Sequence, residues 1–435
     1  MGGVAGHLSH VHEDLDLTFG EIKSLLSDVA SAKIEAVEKF DGQNIFFKKF
    51  FFFVDPESGE LKTARNIGDV KDGGMSEEAF MKMFRGHGAE APFVNGFEAI
   101  NRGLSRMDAA TLKSIFTGEH GQRFVNAEII YPDHPNIINY SSDNIVMHNL
   151  QEFDENGAVI DIQLRGGDFE KLVNAATSAA AKDDSESWGF YGPQIVKLRD
   201  INETGAHAEL VTKLDALGMS DSDTLADYVE KRLRRSVLKP LNLSDEKTED
   251  LVARIVGIGL DEQPLSELPQ LGPLKKGLSK DVQKKVSSIA SKQNAKKLIS
   301  VLLGPVENII NDFAIEVLRG MESFLVDDTD AEVKRMKKEL NSAIAKLQAV
   351  EGEEAEKIGA LLDKQLPKLG DIEDRVNSSM EGVIFEHPPG SKKLYKLTGA
   401  FAMVNQIIGR ARRLPSTEEQ NENLLRSYVQ SILMG

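Results

Sequence analysis

The stretch AVEKFDGQNIFF, residues 36–47, decides how the rest of the chain is read. Apolar and polar residues alternate on either side of Asp41-Gly42, a dipeptide suited to a tight turn. Two short strands are therefore expected, with Lys39 at the end of the first. A lysine there is either a solvated residue beside a turn or a nucleophile, and residues far along the chain have to decide between them.

Working outward, QNIFFKKFFFFVD and LKTARNI are rich in β-branched and aromatic residues and are separated by DPESGE, so the strand set continues in antiparallel fashion. Before it, TFGEIKSLLSDVAS (18–31) predicts a helix: Thr18 and Glu21 have capping-box spacing, and Ile22, Leu25, Leu26 and Val29 form an apolar stripe. Residues 76–116 read as helical. QRFVNAEIIYP (122–132), NIVMHNLQEF (144–153), AVIDIQL and PQIVKLRDI (193–201) return to strands. From about 205 to 375 helical periodicity takes over almost completely. Strands resume with MEGVIFEH (380–387) and KLYKLTG (393–399), followed by helices at 400–413 and 416–434. A β pattern that stops and resumes predicts an α+β fold with an antiparallel sheet and a long all-α insertion: 1–204, then the inserted 205–377, then 378–435.

The composition of the 435 residues, 41% hydrophobic and 28% charged, is that of an ordinary globular chain. No membrane span is expected, because the longest apolar run, FFKKFFFFV, is broken by Lys48 and Lys49. MGGVAGHLSHVHEDLDL lacks the pattern of a signal peptide, and cytoplasmic placement is expected, in a host cell if the chain is phage-encoded. Cysteine is absent, which removes disulfides and thiolate chemistry. A net charge of −17 argues against indiscriminate coating of nucleic acid but leaves room for a local basic groove.

Four islands place polar residues on strands or strand ends: Lys39, Asp41 and Gly42 in EKFDGQN; Arg65 in TARN; Glu128 in VNAEIIYP; and Glu381 in MEGVIF with Lys393 and Lys396 in KLYKL. Each has a plainer explanation. Lys39 could be solvated, Arg65 and Glu128 could be buried ion-pair partners, and the two lysines could guard an edge strand. In this order, however, they resemble the motifs of the covalent nucleotidyltransferases, the ATP-dependent RNA and DNA ligases and mRNA-capping enzymes. K-x-D-G is met by Lys39 to Gly42, and E-G-v-i by Glu381-Gly382-Val383-Ile384, one hairpin before a lysine strand. The GGVAGH opening and E-K-x-D-G-Q-N core also look like a group of tailed-phage proteins.

The resemblance implies an ATP-grasp-like nucleotidyltransferase domain using ATP and Mg²⁺, and a role for each residue. Lys39 would attack the α-phosphorus. Lys393 or Lys396, with Lys396 favoured because Tyr395 and Leu397 flank it on a strand, would supply a cation. Asp41 and Gly42 would lie against the nucleotide, Glu128 would contact the ribose and His148 would stack on adenine. Glu381 would hold the metal, and Arg65 would contact phosphate or the incoming end. Attack requires a neutral amine, so the Lys39 pKa is expected to fall well below about 10.4. The long gap between Glu128 and Glu381 is assigned to the helical insertion, and the short stretch after Lys396 favours an RNA-ligase-like arrangement over one with an OB-fold.

Two further patterns stand apart. His7, His10 and His12 with Glu13 and Asp14 invite a metal reading, but their spacing suits neither one helix face nor one strand face, so a metal site is not expected there. The lysine-rich stretch 274–297, including Lys284 and Lys285, KRLRR (231–235), and Arg410, Arg412 and Arg413 in GRARR are candidates for contact with a phosphate backbone. The expected activity is sealing of polynucleotide ends, RNA before DNA, through a lysyl-AMP intermediate. The alternatives are a phage structural or assembly protein that keeps the scaffold without turnover, and nucleotide transfer to another acceptor, capping-type or protein.

Overall fold

The computed structural model describes residues 8–51, 59–181, 187–260, 265–412 and 414. Its strands are β1 (Ser9–His10), β2 (Ala36–Lys39), β3 (Gln43–Phe51), β4 (Gly59–Ala64), β5 (Gln122–Ile130) and β6 (Asn144–Phe153). They continue with β7 (Val159–Gln163), β8 (Gly189–Tyr191), β9 (Ile195–Val196), β10 (Gly382–Glu386) and β11 (Leu394–Leu397). Two sheets result, ordered β1-β11-β10-β2-β9 and β4-β3-β5-β6-β7, with β8 added beside β6. Pairing is antiparallel except for β1 on β11 and β8 on β6. The fold is α+β.

The Asp41-Gly42 dipeptide is not the hairpin turn expected from its composition. β2 pairs with β10 and β9 in the first sheet, whereas β3 pairs with β4 and β5 in the second. Phe40-Asp41-Gly42 is therefore the crossover between the sheets. The Asp41 carboxylate accepts the Ile137 and Ile138 amide protons at 2.6 and 2.8 Å, and its own amide donates to the Tyr140 hydroxyl at 2.9 Å. A Cβ on Gly42 would lie 2.7 Å from the Ile129 carbonyl oxygen, so only glycine lets the crossover pass this close to β5.

The helix Phe19–Ala30 forms as its sequence predicts: the Glu21 amide donates to Thr18 Oγ1, and the Thr18 amide donates back to the Glu21 carboxylate. Its apolar stripe packs in one core with Ala36, Val383, Phe385, Tyr395 and Leu397 from one face of the first sheet. Ile299, Leu302, Val306, Ile310 and Phe313 of the helix Lys292–Leu318 enter the same core. That helix is long and apolar enough by composition to span a bilayer, which the sequence reading did not anticipate, but over half of its apolar window is packed against the rest of the protein. The helices Glu77–Phe84, Glu90–Ser105, Ala109–Phe116 and Gly167–Ala180 cover one face of the second sheet. A further core joins Phe40, Ile130 and Val146 to the helices Thr329–Gln348 and Phe401–Arg412. The helices between 206 and 375 thus share their cores with the strands. The helix expected at 416–434 lies outside the described residues.

Candidate functional site between the two sheets

Strand register determines which side chains meet. Lys39 stands opposite Gly382, and Ile384 stands opposite both Val37 and Lys396, so Val37, Lys39, Ile384 and Lys396 share the face of the first sheet turned away from its helical core. In the second sheet, Asn44 and Val146 flank Glu128 on the face opposite the helices. The pairing of β5 with β6 slips between Asn126 and Ala127, which leaves His148 as an extra residue. Such a bulge re-aims a side chain, and His148 comes to lie near Phe40, with ring centroids 6.4 Å apart.

Lys39 Nζ donates to Glu381 Oε2 at 2.6 Å and to the Phe40 carbonyl at 3.3 Å. Both side chains are largely enclosed, Lys39 at 16% exposure and Glu381 at 10%. Gly382 is required beside this pair, since a Cβ there would strike the Leu397 carbonyl of β11. Glu128 is buried and its Oε2 has no hydrogen-bond partner; the same holds for His148 Nδ1 and Asn149 Oδ1 on the neighbouring strand. The Arg65 guanidinium lies 4.6 Å from the Phe93 ring centre and faces the charge of Glu128.

Burial pushes Glu128 up to about 8, opposed by the positive charge of Lys39, and pushes Glu381 up to about 7. His148 is driven down to about 3 by burial and by Lys39, so its ring is neutral. Lys39 does not follow the expected fall. Burial favours its neutral form, but Glu381, Glu128 and Asp41 together outweigh burial and hold the amine above its ordinary value. The amine that falls is Lys396, through burial and then through Lys39. Sequence reasoning placed Asp41, Glu128 and Glu381 in one site with Lys39 but weighed only cations and burial in setting its charge.

Lys39, Asp41, Gly42, Arg65, Glu128, His148, Glu381 and Lys396 are thus brought together from both sheets. Lys393 is not. It precedes β11, is more than half exposed and pairs with Asp14 at 3.5 Å. Asp41 and Gly42, expected against a nucleotide, are engaged by the Ile137–Ile138 amides and by β5. Arg410 pairs with Glu354 at 2.8 Å, and Arg412 pairs with Glu339 and donates to the Pro135 and Asn136 carbonyls, so their charges are already engaged within the fold. Lys284 and Lys285 are exposed on the helix Lys280–Ile289. Arg413 and His7 lie outside the described residues. Sequence reasoning missed β1, a two-residue strand beside β11, because two residues carry no periodicity.

A hollow of about 10 Å³, room for no more than a water, lies beside Asp41 and Gly42, lined by Ile129, Tyr131, Asn136 and Tyr140 and by none of Lys39, Glu128, Glu381 or Lys396. A larger cavity, about 530 Å³, lies among helices elsewhere, where Lys213 and Arg375 both pair with Asp312. Among the described residues no three acidic or imidazole groups converge as a metal cage. Magnesium needs only one or two carboxylates beside phosphate and water ligands, and Glu381 with the unpartnered oxygen of Glu128 meets that demand. Comparison with known proteins adds no family: no family model, no curated protein and no solved structure gives a significant match to the chain.

Glu38 points to the other side of β2, where its carboxylate accepts from the Ser323 hydroxyl and, at 2.7 Å, from the Phe324 amide. Burial raises it from 4.5 to about 7. The folded state therefore keeps a proton that the unfolded chain loses above 4.5, and stability falls as pH rises from about 4.5 to about 7. Glu38→Gln is expected to remove this slope, gaining about 3 kcal/mol over the native chain at pH 8 and nothing at pH 4. Urea denaturation at the two pH values is the check.

Proposed function

We propose that the chain is a covalent nucleotidyltransferase that takes AMP from ATP onto Lys39 and passes it to polynucleotide 5′-phosphates for sealing, with RNA ends as the acceptor class. The observation that carries this reading is the meeting of Lys39, Glu381, Glu128 and Lys396, from distant parts of the sequence, between two facing sheets. In the first step the Lys39 Nζ lone pair forms a bond to the α-phosphorus. The bond from that phosphorus to the bridging oxygen breaks, and its electron pair leaves on pyrophosphate. The Lys39 proton passes to Glu381 Oε2, 2.6 Å away, whose affinity for protons burial has raised to near neutrality. Lys396, without an ion-pair partner among the described residues, balances charge on the phosphates. Magnesium, with Glu381 and Glu128 available to hold it, supplies further charge neutralisation when bound.

A 5′-phosphate oxygen then attacks the same phosphorus, the N–P bond breaks, and the lysine regains a proton. A 3′-hydroxyl finally attacks the 5′-phosphate and AMP departs. Incubation with ATP and Mg²⁺ is expected to place label from the α-phosphate, and none from the γ-phosphate, on the protein. Absence of label with any nucleoside triphosphate overturns the proposal and leaves the scaffold reading, in which the closed Lys39–Glu381 pair is purely structural.

A further inference from the structure

The basic runs of the chain do not share one fate. In KRLRR, Arg234 pairs with Glu230 and Glu249, and Lys231 donates to the Gly218 carbonyl at 2.7 Å. In GRARR, Arg410 and Arg412 are held by Glu354 and Glu339. The stretch 274–297 is different: it carries eight lysines and one acid, Asp281, in a chain whose net charge is −17. Lys276, Lys280, Lys284, Lys285 and Lys297 are exposed, and none makes an ion pair or side-chain hydrogen bond among the described residues. Other helices offset such charges with an acid three or four residues away, as with Lys213 and Glu209 or Lys357 and Glu354.

Local structure concentrates this charge. The helices Leu271–Lys275, Lys280–Ile289 and Lys292–Leu318 follow one another and turn Leu274, Val286, Ala290 and Ala295 into the core, which leaves the lysines outward. Lys280 and Lys284 stand one helical turn apart. Lys280 and Lys292 take the first position of their helices, after the capping hydroxyls of Ser279 and Ser291, where the helix dipole disfavours a cation. The longer of these two helices has no acid in its first turn. Lys247 brings one more cation, its amine donating to the Lys276 carbonyl. Like charges gathered in this way repel one another until a polyanion offsets them.

We propose that Lys276, Lys280, Lys284, Lys285 and Lys297 form a surface that docks a single strand of RNA through its phosphates. An anionic membrane would need an apolar face beside the lysines, and here the apolar residues point inward. A phosphate backbone needs only the charge. The choice of RNA rests on the reading of Lys39 as the AMP acceptor, whereas the preference for a chain of phosphates rests on the lysines alone. The helix Lys292–Leu318 joins this surface to the first sheet: a Cβ on Gly399, two residues beyond β11, would lie 3.4 Å from the Ile315 amide nitrogen. About 27 Å of helix separates Lys297 from Ile315. The lysines therefore act on the affinity for the strand and do not touch the reacting atoms.

The test is fluorescence anisotropy of an end-labelled single-stranded RNA titrated with the full chain at several salt concentrations, beside α-labelling from ATP on the same preparations. The logarithm of affinity is expected to fall against the logarithm of salt with a slope of about −3.5, five contacts at about 0.7 each. A triple variant carrying Lys280→Gln, Lys284→Gln and Lys285→Gln should flatten that slope by about 2 and bind about 10²-fold more weakly at about 0.1 M salt. A control carrying Lys171→Gln, Lys213→Gln and Lys357→Gln removes as much charge from lysines that already have carboxylate partners, and should keep the native slope. Native protein that ignores RNA, a triple variant with the native slope, or a control that flattens it equally overturns the inference. Native protein that binds phosphatidylserine vesicles in place of RNA overturns it in favour of a membrane. Label on Lys39 together with native RNA affinity in the triple variant sinks this inference and leaves the nucleotidyltransferase reading standing. A flattened slope in a protein whose native form never takes label does the reverse, leaving an RNA surface without the chemistry.

Discussion

Lys39→Ala is expected to abolish transfer of α-phosphate label to the protein, to below one part in about 10⁴ of the native level, because the proposed intermediate is a covalent bond to Lys39 itself. Lys39→Arg should fail equally. A guanidinium keeps the charge beside Glu381, so misfolding from a stranded carboxylate does not explain the loss. On this proposal the native protein also carries a signature in pH. Glu381, Glu128 and Asp41 hold the Lys39 amine in its ammonium form, above its ordinary value. In the free protein, then, only a small fraction of Lys39 is neutral and able to make the proposed attack, and that fraction grows tenfold per pH unit until the raised pKa is passed. Because kcat/KM reports the unliganded protein, kcat/KM for the proposed labelling should rise with unit slope from pH 7 to about pH 10. A plateau near neutrality would mean that the amine is not held charged and would remove the carboxylate clamp from the account.

Local features were legible in the sequence where a local rule determines them. The capping pair Thr18 and Glu21, the strands β5 and β6, and the EGVIF strand with its lysine partner all form where their composition predicts. Asp41-Gly42 was misread because turn propensity describes a dipeptide and is silent about which strand it joins. The pairing of Lys39 with Gly382 joins segments over three hundred residues apart and leaves no trace in local periodicity. For the same reason the sign of the Lys39 shift was missed. Charge on an amine depends on its spatial neighbours, and two of the three acids that govern it arrive from β5 and from the residue just before β10. The choice of Lys396 over Lys393 could be argued from strand alternation, since register with Ile384 turns Lys396 toward Lys39 and leaves Lys393 outside β11. The bulge that turns His148 inward has no such signature.

Glu381→Gln sets two consequences of one carboxylate against each other. The substitution removes the strongest attraction holding Lys39 protonated, which by itself would raise the neutral fraction and speed labelling at neutral pH. It also removes the group 2.6 Å from the amine that can take its proton, which is one of the two carboxylates proposed to hold magnesium. General-base loss alone costs about 10²–10⁴ in rate. One pKa unit on Lys39 returns only about tenfold. Labelling of Glu381→Gln is therefore expected to fall by at least about 10²-fold at pH 7.5, with the rise of kcat/KM levelling off at a lower pH than in the native protein. Single-turnover labelling across pH separates the two terms. A variant that labels faster than native at neutral pH would show that Glu381 only restrains Lys39, and that the proton leaves by another route.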